Sequence, residues 1–217
     1  MRGNTYSKKQ SSEQISRKLS EFIKEIQYKN RNPVDNNVLK MLQEMETNPE
    51  LLFDSQQYLY RSRIVHSKDK LNGEYPFFGF GKDGSFVAPS ECTKDMRANY
   101  RYIPYLYCAT RPYLSVVEVR PRLGARVSVA RIRVNERLRL LDFSLQNYPK
   151  GMKSVKINLF HALSQLYSKP VTEDDDTLDY IPTQYIAEFV KRIGYDGIVF
   201  KSSPVSYTHL TLPTILR

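Results

Sequence analysis

The sequence predicts an α+β protein whose helices and strands alternate irregularly. Three observations carry that expectation. Two amphipathic helical stretches precede any strand signal: Ile15, Leu19, Phe22, Ile23 and Ile26 recur at helical spacing, and Val38, Leu39, Leu42 and Met45 do so again. Short runs of β-favouring residues then appear at 58–65, 105–109, 125–134 and 138–143. Finally, a helical pattern over 183–193 closes on Gly194 and leads straight into the apolar run 197–201.

Taken in order, Ser12 stands as the N-cap of a helix over 12–28, which Asn30 to Pro33 break. Asp35 caps the second helix, and Asn48-Pro49 ends it, so residues 1–54 read as a helical N-terminal segment. The strand at 58–65 opens the main domain, residues 55–203. The stretch 67–104 is rich in Gly and Pro yet carries Tyr75, Phe77, Phe78, Phe80 and Phe86. A connection that long is usually functional or disordered, and its aromatics favour a loop folded over a ligand. Thr110 is placed to cap a short helix bearing Glu118. In 125–134, Val127, Val129, Ile132 and Val134 are interleaved with Arg126, Ser128, Arg131 and Arg133, the mark of a half-exposed strand with a basic outer face. An amphipathic helix over 155–166 and a solvated acidic loop at 173–176 follow. A twisted mixed sheet of 58–65, 105–109, 127–134 and 197–201 is expected, with the 155–166 and 183–193 helices packed beside it.

Residues 205–214 read as the translation of a transposase-derived sequencing adapter, with Pro204 as a partial first codon. Residues 204–217 are therefore expected to be non-native, and residues 205–217 to make few contacts with the core. His209 drops out as a candidate on that ground, and the native chain is expected to have continued past Ser203.

With 217 residues, 41% hydrophobic and 26% charged, the chain has the composition of a soluble globular protein of one or two domains. No run approaches the roughly 18 apolar residues of a membrane span, and the start lacks a signal-peptide core, so the cytoplasm is expected. Cys92 and Cys108 form neither a disulfide framework nor a zinc spacing, and no metal is expected. The net charge of +10 is concentrated: residues 55–140 hold 16 basic and 7 acidic side chains, and 12 of the 16 are arginine. Arginine forks readily onto phosphate. The segment thus suits a phosphate-bearing ligand, a nucleic acid, an acidic protein, or simply solvent.

Four local words occur in order. They are Leu59-Tyr60-Arg61-Ser62-Arg63; Arg97-Ala98-Asn99 with Ile103-Pro104-Tyr105-Leu106-Tyr107; the stretch 115–121 around Glu118; and 180–202, through Gln184 and Asp196-Gly197 to Ser202. Over about 59–203 this series resembles the RES-domain family, named for its arginine, glutamate and serine. The resemblance implies an ADP-ribosyltransferase-like fold. It also implies the activity of the family's toxin members, in which NAD is destroyed or its ADP-ribose transferred, with an antitoxin or other inhibitory protein as partner.

Chemistry fits the same residues. Breaking the nicotinamide–ribose bond builds positive charge on the ribose carbon, and a carboxylate nearby stabilises that oxocarbenium-like state. Glu118 takes that role, with Arg61 and Ser202 completing the catalytic set. Arg61 and Arg97, then Arg63, suit the pyrophosphate; Tyr107 suits the nicotinamide ring; Ser202 suits its amide or the ribose. The bland readings are a surface ion pair of Glu118 with Arg120, exposed cations at Arg61 and Arg97, and a core role for Tyr107. Two other functions compete. The basic, aromatic segment suits single-stranded nucleic acid, the less favoured partner. Arg61-x4-His66 resembles the spacing of HEPN ribonucleases, but here it falls on a strand signal.

Overall fold

The computed structural model describes residues 3–33, 35–74, 78–144, 148–169, 177–201 and 208–213. Helix α1 (Gly3–Tyr28) begins well before Ser12, so that residue lies inside the helix and does not cap it. Helix α2 (Asn37–Gln43) is capped by Asn36, not by Asp35: the Asn36 side chain accepts from the Val38 amide at 2.9 Å. Strand β1 (Glu50–Phe53) falls inside the segment expected to be helical. Then come β2 (Tyr58–Ile64), the one-turn helix α3 (Lys82–Ser85), β3 (Tyr105–Ala109) and α4 (Pro112–Glu118). The N-cap of α4 is Arg111, and Pro112 opens its first turn in place of the expected Thr110 cap. Strands β4 (Val127–Arg133) and β5 (Leu138–Asp142) precede α5 (Ser154–Ser168) and α6 (Ile181–Arg192), and β6 (Gly197–Lys201) follows.

With a last strand, β7 (Thr208–Pro213), the strands form one mixed sheet in the order β1-β5-β6-β7-β3-β2-β4, with β5 and β6 parallel and every other neighbour antiparallel. Helices and strands alternate irregularly about it, as an α+β chain should. The seventh strand, β7 (Thr208–Pro213), sits between β3 and β6, with Cys108 opposite Leu210 and Phe200 opposite His209. Residues 208–213 therefore do not stay apart from the sheet as expected. The physical reason is that strand addition reads the backbone, and a Thr- and Leu-bearing segment following β6 satisfies two strand edges at once. The acidic loop at 173–176 and Ser202 lie outside the described residues.

Residues alternate across the sheet and divide the interior in two. One face carries the large core: Leu141, Phe143, Ile198 and Phe200 meet Ile15, Phe22, Leu159, Phe160 and Ile186 from α1, α5 and α6. Phe143 stacks on Tyr167, ring centroids 5.2 Å apart, and Tyr167 contacts Phe200 at the same distance. The Tyr167 hydroxyl donates to the Thr183 carbonyl at 2.7 Å, which satisfies the one polar atom this ring buries. The other face carries a small cluster of Leu59, Leu106, Cys108, Val134, Leu140 and Val199. No described helix is long and apolar enough to cross a membrane.

Candidate active site

Strands β2 and β3 share a single pair, Tyr60 opposite Ala109, whereas β2 and β4 pair along seven residues. The sheet is therefore open beside that pair, and a cavity of about 500 Å³ lies there. Its walls come from β2 (Tyr60, Arg61, Ser62), β3 (Tyr105, Tyr107, Cys108), α4 (Ser115, Glu118) and the 88–99 segment. A cavity of this volume falls within the range of small-molecule sites.

Of the residues expected to converge, Arg61, Tyr107 and Glu118 border this cavity. Arg61 lines it from β2. Its guanidinium donates to the Ser85 carbonyl at 3.1 Å, and no described carboxylate pairs with it. Burial, and then the neighbouring Arg63 cation, pull its pKa below the usual arginine value. A half-buried cation in that position is electrostatically unsatisfied, and an anion would relieve it.

Tyr107 is fixed by two partners. Its hydroxyl donates to Asn99 Oδ1 at 2.8 Å and accepts from the Ala98 amide at 3.1 Å. Burial raises its pKa, so the hydroxyl stays protonated at neutral pH. Glu118 is the last residue of α4, and the chain turns sharply after it: Arg120 takes φ +44°, the position that usually falls to glycine at a helix end. Helix α4 is held to the sheet by a buried hydroxyl pair, Ser62 Oγ to Ser115 Oγ at 2.7 Å, and Ser115 also donates to the Pro112 carbonyl at 2.7 Å. These bonds fix where Glu118 stands.

Two expected cations are placed elsewhere. Arg97 points to the end of α5, donating to the carbonyls of Leu166 (3.0 Å) and Lys169, and does not line the cavity. It binds the last free carbonyls of that helix, a favoured place for a cation. Arg63 donates to the Gly84 carbonyl and lies 4.0 Å from the centre of the Phe80 ring, holding α3 against β2. Exposed His66 does not border the cavity either, which separates it from Arg61.

Sequence reasoning did not single out several lining groups. Lys94 adds a second cation, Asp95 a carboxylate, and Cys92 and Cys108 thiols. Burial pushes the Cys108 thiol up to about 12, so it stays protonated and is no nucleophile. Gln184 on α6 is buried and organises one wall from behind. Its amide donates to the carbonyls of Met96 (2.9 Å) and Asn99 (2.8 Å), pinning the turn that carries Asn99 toward Tyr107. The signal for Asn99 and Gln184 was present in the words quoted above; their roles as supports were not.

Comparison with known proteins adds the family. No curated protein matches the chain. Among solved structures, the chain is similar to one in the crystal structure of the M. tuberculosis MbcT–MbcA toxin–antitoxin complex, at 14% identity and a TM-score of 0.46, over 83% of each chain. The sequence profile of the RES domain matches residues 59–211, from Leu59 in β2 to Thr211 in β7, which takes in every wall of the cavity. The protein belongs to the RES-domain family.

Proposed function

We propose that the cavity between β2, β3 and α4 binds NAD and that the protein cleaves its nicotinamide–ribose bond, acting in the cytoplasm as a toxin or defence effector. The observation that carries this reading is the meeting of Arg61, Tyr107 and Glu118, from three separate elements of a RES-family chain, at one cavity. In the reaction the bond from ribose C1′ to the nicotinamide nitrogen breaks, and its electron pair leaves with the ring, neutralising the pyridinium. The cation left on C1′ is stabilised by the Glu118 carboxylate and captured by phosphate, water or a protein side chain. Arg61, with Lys94 at the same cavity, supplies positive charge for the pyrophosphate. Tyr107 presents its ring to the nicotinamide with its hydroxyl already committed to Asn99. Arg97 and Arg63 act one step back by fixing the segments around the cavity, and Ser202 supplies a hydroxyl just after β6. An activity that depletes NAD needs restraint in the cell that makes it, so an inhibitory protein partner belongs to the same reading.

The test is incubation with NAD while free nicotinamide is followed. Glu118→Gln keeps the side-chain shape and removes its charge. It should slow release on the order of a hundredfold or more, with the circular dichroism spectrum unchanged. Release as fast as in the parent would show the assigned chemistry to be wrong.

A further inference from the structure

Among the described residues, strand β4 closes one edge of the sheet and pairs with β2 alone. The flanking bonds Val65 N–H to Arg126 O and Val134 N–H to Gln57 O set the phase of the ladder. Bonded positions alternate in an antiparallel pair. Ser128, Ala130 and Ile132 therefore turn their peptide groups toward β2, and Val129, Arg131 and Arg133 turn theirs outward. Among the described residues nothing bonds to those three outward peptide groups. A seven-residue edge of this kind is a template for another strand.

Its side chains narrow the partner. Val127 and Val129 share one face with Arg131 and Arg133, so the strand presents an apolar half and a basic half on the same side. Val129 is 44% exposed, Arg131 and Arg133 are exposed, and the Arg131 guanidinium lies 4.6 Å from the centre of the Tyr58 ring, itself 42% exposed. No described carboxylate pairs with Arg126, Arg131 or Arg133. Edge arginines alone are explained as guards against aggregation. The exposed valine beside them is not, because a guarded edge has no use for an apolar step.

We propose that β4 is the docking edge for an acidic, extended segment of a partner protein, which adds to the sheet as a further strand. Opposite β4 it places carboxylates against Arg131 and Arg133 and apolar side chains against Val127 and Val129. A polynucleotide would satisfy the arginines but would leave the outward peptide groups and the valines unused. This inference does not depend on NAD chemistry, and its test reads binding, not turnover.

The probe is a fluorescein-labelled peptide, Glu-Thr-Glu-Thr-Val-Thr-Val, read by anisotropy up to millimolar concentration. The same peptide with Lys for Glu, and a single-stranded oligothymidylate, are the comparisons. The acidic peptide should bind and slow amide exchange at Val129, Arg131 and Arg133. The double charge reversal R131E/R133E should weaken binding about tenfold or more. Val129→Pro removes one outward donor at a position where an edge strand tolerates proline, and it should weaken binding comparably. If Val129→Pro fails to fold, the exchange measurement on the parent tests the backbone part by itself. The proposal is overturned if the acidic peptide does not bind, if it binds without slowing those amides, or if only the oligothymidylate binds.

Discussion

The two halves of the sheet are built on different terms. Around β1, β5 and β6, the helices α1, α5 and α6 bury the large apolar cluster, from Ile15 and Phe22 through Leu159 and Phe160 to Ile198, and buried polar groups beside it, such as Lys156 and Gln184, bond within the protein. Around β3, β2 and β4, the buried groups include the hydroxyls of Ser62, Ser115 and Ser128, the Asn99 amide, and Thr93. Arg61 sits in this second half, desolvated and beside another arginine. Groups of that kind do not add to stability and persist only where the rest of the fold supports them. The comparison assigns stability to the helical half and chemistry to the arginine half. It can be broken by experiment.

The largest expected effect is on stability. Phe160 is fully buried and touches Phe143 at a ring-centroid distance of 5.4 Å. Phe160→Ala should cost about 3–5 kcal/mol in urea unfolding. Nicotinamide release should fall only in step with the folded fraction, because no wall of the cavity has changed. A loss of turnover in fully folded protein would erase the division between the halves.

Gln184 joins the two halves, so its replacement should register in both. Gln184→Leu leaves the Met96 and Asn99 carbonyls without their buried donor, a cost of about 1–3 kcal/mol. It should also loosen the turn that positions Asn99 against Tyr107, lowering turnover beyond the loss of folded protein. A variant that loses stability alone would make Gln184 a core residue and nothing more.

What could be read from the sequence follows the same division. Apolar periodicity located α2, α5 and α6 closely, because each buries a face that its spacing displays, and short β-favouring runs located β2, β3 and β6, the last two buried on both faces. Strand β1 was missed: Glu50-Leu51-Leu52-Phe53 is four residues with no alternation, and it becomes a strand only because β5 offers an edge. The pairing of β7 was missed for a related reason, since a vacant position between β3 and β6 is a property of the sheet and not of the segment that enters it. At the site, the words around Arg61, Tyr107 and Glu118 were legible as a resemblance. The destination of Arg97 was not, because a cation on a long irregular segment can reach either a ligand or a helix end, and the choice depends on where α5 stops.

A smaller change should move stability and function in opposite directions. Arg61→Met keeps much of the side-chain length and removes a desolvated cation that lies beside Arg63. Unfolding free energy should stay level or rise by up to about 1 kcal/mol, the lost bond to Ser85 offsetting part of the gain. NAD binding should weaken sharply, seen as a rise in KM. A clear loss of stability would mean that Arg61 is a structural cation, and the contrast between the halves would lose its best example.

The smallest effect belongs to the helical half and has a definite pH signature. Glu50 on β1 accepts from Arg139 Nε at 2.9 Å and from the Tyr195 hydroxyl at 2.7 Å. Partial burial pushes its pKa up, but the hydrogen bonds from Arg139 and Tyr195 and the Arg139 charge outweigh it, and the net shift is downward from 4.5. The folded state then holds the Glu50 proton less tightly than the unfolded chain does. The stabilisation is complete above the unfolded value and is lost as the pH falls through the lower folded value. Because the carboxylate is partly exposed and screened, the contribution at neutral pH should be under about 1 kcal/mol. Glu50→Gln should be less stable than the parent at neutral pH, and the two unfolding curves should converge as the pH drops below 4.5. Buried Asp142, whose pKa burial raises, gives the opposite slope in both proteins and cancels in the difference. A gap between the curves that persisted into acid would mean the Glu50 carboxylate acts through packing around Tyr195 and not through its charge.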